Sequence, residues 1–234
     1  MKNILMMRVG AIGDVIMTTP AIAAVKRSFP QATIDFAVGK WSAPVLENNP
    51  DINEIISFSD EWVFEKKFLK MASFAKLLRL RAYDIAFFFD KSWHWSLFAK
   101  HTKIPLRIGF NRVWEGFGYH KKLPFTGSVA EYQANLDLVS LGNVNKPESI
   151  HYLLYPEERN RERAEDFIAF HNLKNFVALA PGGANNPGQV FLEKRWPAQN
   201  YIDLIKSLSH QIVLIGGHRD KDLCEQSVNR RARI

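Results

Sequence analysis

The chain has 234 residues, 47% of them apolar, and a net charge of +7, which allows one or two domains with a buried core. No run approaches the roughly 20 apolar residues of a membrane span, and the apolar start is too short for a secretory signal. The one cysteine, Cys224, excludes an internal disulfide framework and a cysteine-based metal cluster, so a cytoplasmic protein is expected.

Residues 4–9 read as a buried strand and 10–14 as a turn. A helix follows and ends near Ser28, with Pro30 as its stop. Thr19 before Pro20 suits an N-cap with proline at the first helical position; a start at Gly13 that tolerates Pro20 suits the pattern as well. Residues 33–38 alternate through Ile34, Phe36 and Val38 and predict a strand ended by Gly39. A short helix over 42–48 and a strand over 52–58 come next. Residues 65–80 place Phe68, Met71, Phe74, Leu77 and Leu78 at helical spacing, with Lys66, Lys67, Lys70 and Lys76 elsewhere on the wheel. The continuous apolar run 85–89, ending at Asp90, is the pattern of a central parallel strand. Residues 107–110 predict one more short strand. A glycine- and aromatic-rich loop runs through Trp114, Gly116, Gly118 and Tyr119 to Lys122, and 130–141 form a helix closed by Gly142. Strands alternating with helices argue for a parallel, doubly wound sheet.

Residues 61–122 hold 13 Lys and Arg against 5 Asp and Glu, a balance of +8, so the rest of the chain is close to neutral. A basic region of this kind points to an anionic partner or, more plainly, to a solvated helix face. No zinc spacing, ribonucleoprotein motif or basic zipper marks a nucleic-acid module, and no nucleic-acid partner is expected.

The polar stretch 143–149 breaks the pattern and is taken as a linker, which divides the chain into domains 1–150 and 151–234. The alternation then restarts: a charged helix over 157–171, a strand over 176–180, a Gly/Asn/Pro loop over 181–188, a helix over 197–208, a strand over 212–215 and a last helical stretch from Asp220. Two strands are fewer than a stable open sheet needs.

Three places offer chemistry, each at the end of a predicted strand. Gly10-Ala11-Ile12-Gly13-Asp14 lets backbone amides approach a ligand, and an acid at a helix start is favoured by the helix dipole and can take a proton from a hydroxyl. The turn lacks the third glycine of the dinucleotide fingerprint, which argues against a dehydrogenase. On pattern alone an ordinary helix-capping aspartate is the simpler account of Asp14. Pro181-Gly182-Gly183-Ala184, with Lys194 and Arg195 before Trp196-Pro197, combines free amides with two cations suited to a diphosphate; a plain turn before a helix also fits. Asp220, in Gly216-Gly217-His218-Arg219-Asp220, suits a ribose hydroxyl or a helix cap. His218 has no second ligand at metal spacing, and no metal is expected.

The opening RVGAIGDVIMTTPAIAAVKRSFPQATIDFAV resembles that of glycosyltransferase family 9, the heptosyltransferases. LENNPDINEII, RIGFNR, EYQANLDLVSLG and APGGANNPGQVFLEKRWPAQNYIDLI resemble later segments of that family. The resemblance covers essentially the whole chain. It implies a GT-B fold of two Rossmann-like doubly wound parallel sheets. It also implies transfer of a heptose or similar sugar, with inversion, from a nucleotide diphosphate donor such as ADP-heptose to the lipopolysaccharide inner core. By that likeness Asp14 is the base, with Gly13 beside it on the acceptor side. Gly182, Gly183, Ala184 and Lys194, with Arg195, hold the donor diphosphate, and Asp220 lies near the ribose. Arg107, Arg112, Lys121 and Lys122 meet acceptor phosphates and acidic sugars. No cofactor is implied beyond the donor itself. The expected protein is a monomer touching the inner face of the inner membrane. The family's aspartate/threonine-glycine-x-x-histidine motif does not occur before Ile234, so the donor domain is expected to be incomplete here. A catalytically silent module that binds an anionic glycolipid is the alternative.

Overall fold

Successive side chains of a strand face opposite sides of the sheet, and in the first strand every residue after Asn3 is buried, so both faces need a cover. The computed structural model describes residues 2–65, 67–112, 116–183, 185–186, 189–190, 192–227 and 232–233. Strands β1 (Asn3–Arg8), β2 (Thr33–Gly39), β3 (Glu54–Phe58), β4 (Ile85–Phe88), β5 (Leu106–Asn111) and β6 (Lys121–Pro124) form one sheet. Its order is β3-β2-β1-β4-β5-β6, with every pairing parallel.

Helices α1 (Ile12–Ile16), α2 (Thr19–Ser28), α3 (Glu61–Phe64), α4 (Phe68–Leu80), α5 (Trp93–Thr102) and α6 (Glu131–Ser140) supply the covers. Ile4, Met6, Phe36 and Phe87 pack with α2 and α6, while Leu5, Met7, Ala37 and Phe88 pack with α4 and α5. This is the three-layer arrangement that continuous apolar strands require.

The helix after the first turn divides in two. Thr18 and Thr19 turn their hydroxyls back to the carbonyls of Val15 and Ile16, closing α1 before α2 begins one residue ahead of Pro20. The predicted helix over 65–80 is observed as α4, which starts at Phe68; the short helix α3 before it is unpredicted, and 42–48 holds only a 3-10 turn, Ala43–Leu46. Helix α5 is not predicted at all: its Trp, His, Ser, Phe and Thr are modest helix formers. Burial of Trp95, Phe98, Ala99 and Thr102 on one side overrides that preference. Strand β6 is also unpredicted, because Lys-Lys-Leu-Pro has no apolar run and forms by pairing with β5.

The first unit runs Met1–Pro156, further than the predicted boundary at residue 150. The added residues fold back on it. The Leu153 amide donates to Thr19 Oγ1 at 3.1 Å, Asn48 Nδ2 donates to the Tyr155 carbonyl at 3.2 Å, and Tyr152 meets Tyr132 edge-on.

The second unit, Glu157–Ile234, contains α7 (Glu158–Phe170), β7 (Val177–Leu179), β8 (Asn185–Asn186), β9 (Gln189–Val190), α8 (Ala198–Ser207), β10 (Ile212–Leu214), α9 (Lys221–Ser227) and β11 (Ala232–Arg233). It holds a parallel three-stranded sheet, β11-β10-β7, not the two strands expected, plus an antiparallel pairing of β8 with β9. Strand β11 is two residues long and carries no periodic signal. Ile205, Ile212, Leu214 and Cys224 form the small core. Among the described residues no helix is long and apolar enough to cross a membrane.

Candidate active site

In the first sheet the chain runs from β1 outward to β3 on one side and from β4 outward to β6 on the other. The β1/β4 junction is therefore the topological switch point, where open parallel sheets bind ligands beyond their carboxyl ends. Arg8, the last residue of β1, is placed there. Period-two alternation puts it on the same face as Ile4 and Met6, toward α1 and α6. Its side chain is only 8% exposed, and it is surrounded by acids. Arg8 Nη2 lies 3.0 Å from Asp14 Oδ2 and 3.4 Å from Glu131 Oε1, and Nη1 lies 3.9 Å from Asp90 Oδ1. Nη1 also donates to the Phe89 carbonyl. The Val9 amide donates to Asp90 Oδ2 at 2.9 Å, and Lys91 donates to Glu131 Oε2 while its ammonium stands 4.0 Å above the Phe125 ring. Three carboxylates and two cations thus share one pocket of the carboxyl edge.

The charges are tuned by burial. Desolvation pushes the Asp90 carboxyl up to about 6, against the pull of Arg8 and the Val9 amide. Burial draws the Arg8 guanidinium down, but Asp90, Asp14 and Glu131 more than offset it, and the group ends above its ordinary value. Lys91 is lowered, chiefly by burial, in spite of Glu131.

Asp14 differs from the other two acids. It is carried by α1, its side chain is 42% exposed, and it is held from one side by Arg8. It neither packs into the core nor caps a backbone amide among the described residues; the N-cap position of α1 is Ala11. Beside it, the space where Gly13 would carry a Cβ is open. Gly10, not Gly13, is the residue that must be glycine: its φ is +131°, and a Cβ there would lie 2.5 Å from Ser42 Oγ.

The four cations expected on the acceptor side separate. Arg112 follows the last residue of β5, at the same edge as Asp14, 5.9 Å from the Phe125 ring that Lys91 also faces. Arg107 is the second residue of β5, about 13 Å from its carboxyl end at about 3.3 Å per residue. Its guanidinium donates to the carbonyls of Gly118 and Ile104. Lys121 opens β6 opposite Ile108 and donates to the Leu141 carbonyl at 2.7 Å. Lys122 is exposed opposite Gly109. A parallel strand separates its two ends, so the fold does not bring Arg107 and Lys121 to the edge that carries Asp14.

In the second unit, three expected donor residues converge at the carboxyl ends of β7 and β10. Asp220 Oδ1 accepts from Arg195 Nη2 at 3.1 Å, and its Oδ2 accepts from the Gly217 amide at 3.0 Å. A Cβ on Gly182 would lie 2.3 Å from Asp220 Cγ. The Asp220 carboxylate therefore ties the Arg195 segment to the turn it caps, and lies so close to Gly182 that no side chain fits between them. Gly183 has φ +103° with open space beside it, which turns the backbone sharply after β7. Lys194 is exposed on the 3-10 turn Leu192–Lys194. Ala184 lies outside the described residues. Among the described residues no group of three or more His, Cys, Asp and Glu is arranged to hold a metal ion.

Arg8, Asp90, Lys91 and Glu131 are site residues that the sequence reading passes over. A signal exists for two of them. Arg8 is the one charge in β1, a strand apolar from Ile4 to Met7, and so demands a buried partner. Asp90 directly follows the apolar run of β4. Glu131 reads merely as the start of a helix.

The model of glycosyltransferase family 9 (heptosyltransferase) matches residues 71–233. The chain is 24% identical over 223 residues to lipopolysaccharide heptosyltransferase 3 of Escherichia coli strain K12, covering 90% of this chain and 62% of that protein. It thus spans less than two thirds of the length of the curated relative it matches. The crystal structure of a family 9 glycosyl transferase from Veillonella parvula is similar with a TM-score of 0.77 at 20% identity, over 97% of this chain and 66% of that one. The structure of E. coli ADP-heptose lps heptosyltransferase II gives a TM-score of 0.74 at 20% identity, over 100% of this chain and 72% of that one. Both likenesses are of fold: an α/β architecture of the GT-B type, built from parallel Rossmann-like sheets.

Proposed function

Since the chain belongs to glycosyltransferase family 9, the heptosyltransferase family, we propose that the protein transfers a heptose, with inversion, from ADP-heptose to a hydroxyl of the lipopolysaccharide inner core. The donor in this reading is drawn from the E. coli enzyme whose fold it shares, and the acceptor from the relatives it resembles. The observation that carries it is the half-exposed Asp14 carboxylate, fixed by Arg8 at the switch point of the first sheet.

In the proposed reaction Asp14 takes the proton of the acceptor hydroxyl as its oxygen attacks the anomeric carbon. The bond from that carbon to the diphosphate oxygen breaks, and ADP leaves with the electron pair. Lys194 and the backbone amides of Gly182, Gly183 and Ala184 stabilise the negative charge on the departing diphosphate. Arg195 is a positioning residue, since its guanidinium holds Asp220, and Asp220 stands directly against Gly182. On this reading Asp220 shapes the phosphate loop in addition to any contact with the ribose. Arg8 is likewise a positioning residue: it aims Asp14 and offsets the charge of Asp90 and Glu131. Arg112 is the acceptor-side cation best placed to meet a core phosphate. The nucleotide sugar is a substrate, so no cofactor enters. A monomer working at the cytoplasmic face of the inner membrane completes the proposal.

The test is ADP release from ADP-heptose in the presence of heptose-deficient lipopolysaccharide, compared between the unaltered chain and Asp14→Asn. Release that is equal in both sinks the assignment of the base.

A further inference from the structure

The first unit has a second built feature, away from the carboxyl edge. Helices α4 and α5 pack side by side and leave a groove of about 390 Å³ lined by Trp62, Phe68, Leu69, Met71, Trp95 and Phe98. Two of these are held out to solvent, Phe68 at 62% and Leu69 at 86% exposure, and Leu80 follows further along α4 at 78%. An apolar surface of this extent marks a place where something docks.

Charge identifies the occupant. The segments that line the groove carry Lys70, Lys76, Arg79, Lys100 and Lys103, and their only acids, Glu61 and Glu65 beside Trp62, both lie against Lys67. All five cations are exposed, and none is ion-paired among the described residues. A second copy of this chain meeting the face about a two-fold axis would set these five cations against their own copies, with only Glu61 and Glu65, which already face Lys67, to answer them. An apolar trough rimmed by cations on long aliphatic stems is instead the surface that inserts at a lipid interface: the leucines and phenylalanine enter the acyl region while the ammonium groups stay with the headgroups.

We propose that the α4/α5 face is a docking surface for an anionic phospholipid bilayer, with a lipid acyl chain entering the groove between the two helices. This deepens the reading of a lipid-borne acceptor and rests on it for its purpose, but its test needs neither donor nor acceptor, so the two readings fail separately.

The experiment is flotation of the intact chain with vesicles of phosphatidylcholine alone or mixed with phosphatidylglycerol. Binding is expected only to the mixed vesicles and is expected to fall at high salt. Lys70→Gln, Lys76→Gln and Lys100→Gln together lower partitioning by roughly a hundredfold. Leu69→Ser with Leu80→Ser weakens it with all charges in place. Lipids brominated in the acyl chain quench the tryptophan fluorescence, and Ala72→Phe, which fills the groove, removes the quenching. Circular dichroism checks that each variant is folded, and the three exposed lysines keep the test open if a groove variant is not. No flotation with the anionic vesicles, flotation indifferent to the lysine and leucine changes, or self-association that the leucine changes abolish overturns the proposal.

Discussion

Arg8 Nη2 and Asp14 Oδ2 stand 3.0 Å apart, joining the last residue of the first strand to the short helix that follows it. The cation is almost fully buried and the acid is half exposed. One partner is thereby fixed by the core while the other reaches solvent at the carboxyl edge, which is the arrangement the proposed base needs. The other acids, Asp90 and Glu131, lie deeper around the same guanidinium, so the orientation of Asp14 depends on a network spanning β1, β4 and α6.

Asp14→Asn should lower the rate of ADP release by about 10²–10⁴-fold, the usual range for losing a general base. Stability in urea should change little, because the side chain is 42% exposed. Affinity for ADP should stay the same. A variant that loses stability as well as rate would point to a structural part for Asp14.

Arg8→Met should destabilise the first unit by about 3–5 kcal/mol, because it leaves Asp90 and Glu131 with no guanidinium to answer them. Adding Asp90→Asn should recover part of the loss. Urea midpoints of the single and double variants measure both effects, and strict additivity of the two changes would contradict a shared network.

Asp90 should make stability fall as pH rises. Its carboxyl moves from the ordinary 3.8 to about 6 on folding, mainly through burial. Between those values the folded chain binds the proton more tightly than the unfolded one, so the contribution is whole below about pH 4 and is lost as pH climbs through about 6. The size is on the order of 2–3 kcal/mol. Urea unfolding of the unaltered chain and of Asp90→Asn, compared from pH 4 to pH 7, should show a steeper decline in the former. Parallel curves would rule the effect out.

Gly182→Ala and Gly183→Ala should behave differently although they are neighbours. The first puts a Cβ 2.3 Å from Asp220 Cγ, and Asp220 cannot yield without releasing Arg195 and the Gly217 amide. A loss of about 1–3 kcal/mol is expected, with ADP affinity down more than tenfold by calorimetry. The second meets no atom but must hold φ +103°, so its cost of about 1–3 kcal/mol is backbone strain alone, and ADP binding should fall less than in the first.

Lys194→Ala should reduce kcat by roughly 10²–10³-fold if the ammonium stabilises the leaving diphosphate. The KM for the lipopolysaccharide acceptor should be unchanged. A rise in that KM with kcat preserved would move Lys194 to the acceptor side.

Much of the fold was readable along the chain, because continuous apolar strands and amphipathic helices announce themselves through local spacing. Strands β1, β2 and β4 and helix α6 are all marked in this way. Helix α5 and strand β6 were not, since their residues take those shapes only through the surfaces they meet: Trp95 and Phe98 against the sheet, and the backbone of Lys121–Pro124 against β5. Among the candidate residues, Asp14 and the glycine turns stood out in the sequence because each lies in the turn after a strand. Arg107 and Lys121 looked equivalent to Arg112 in sequence, and position along a parallel strand separated them.

The sequence alone determined that this chain builds parallel α/β units with polar turns at the strand ends, because side-chain periodicity is a local property. Only the tertiary structure decided which charges meet. Arg8, Asp14, Asp90 and Glu131 are spread over more than a hundred residues and share one pocket because β1 and β4 are neighbours in the sheet. That adjacency follows from the order of strands, which no short stretch of residues encodes.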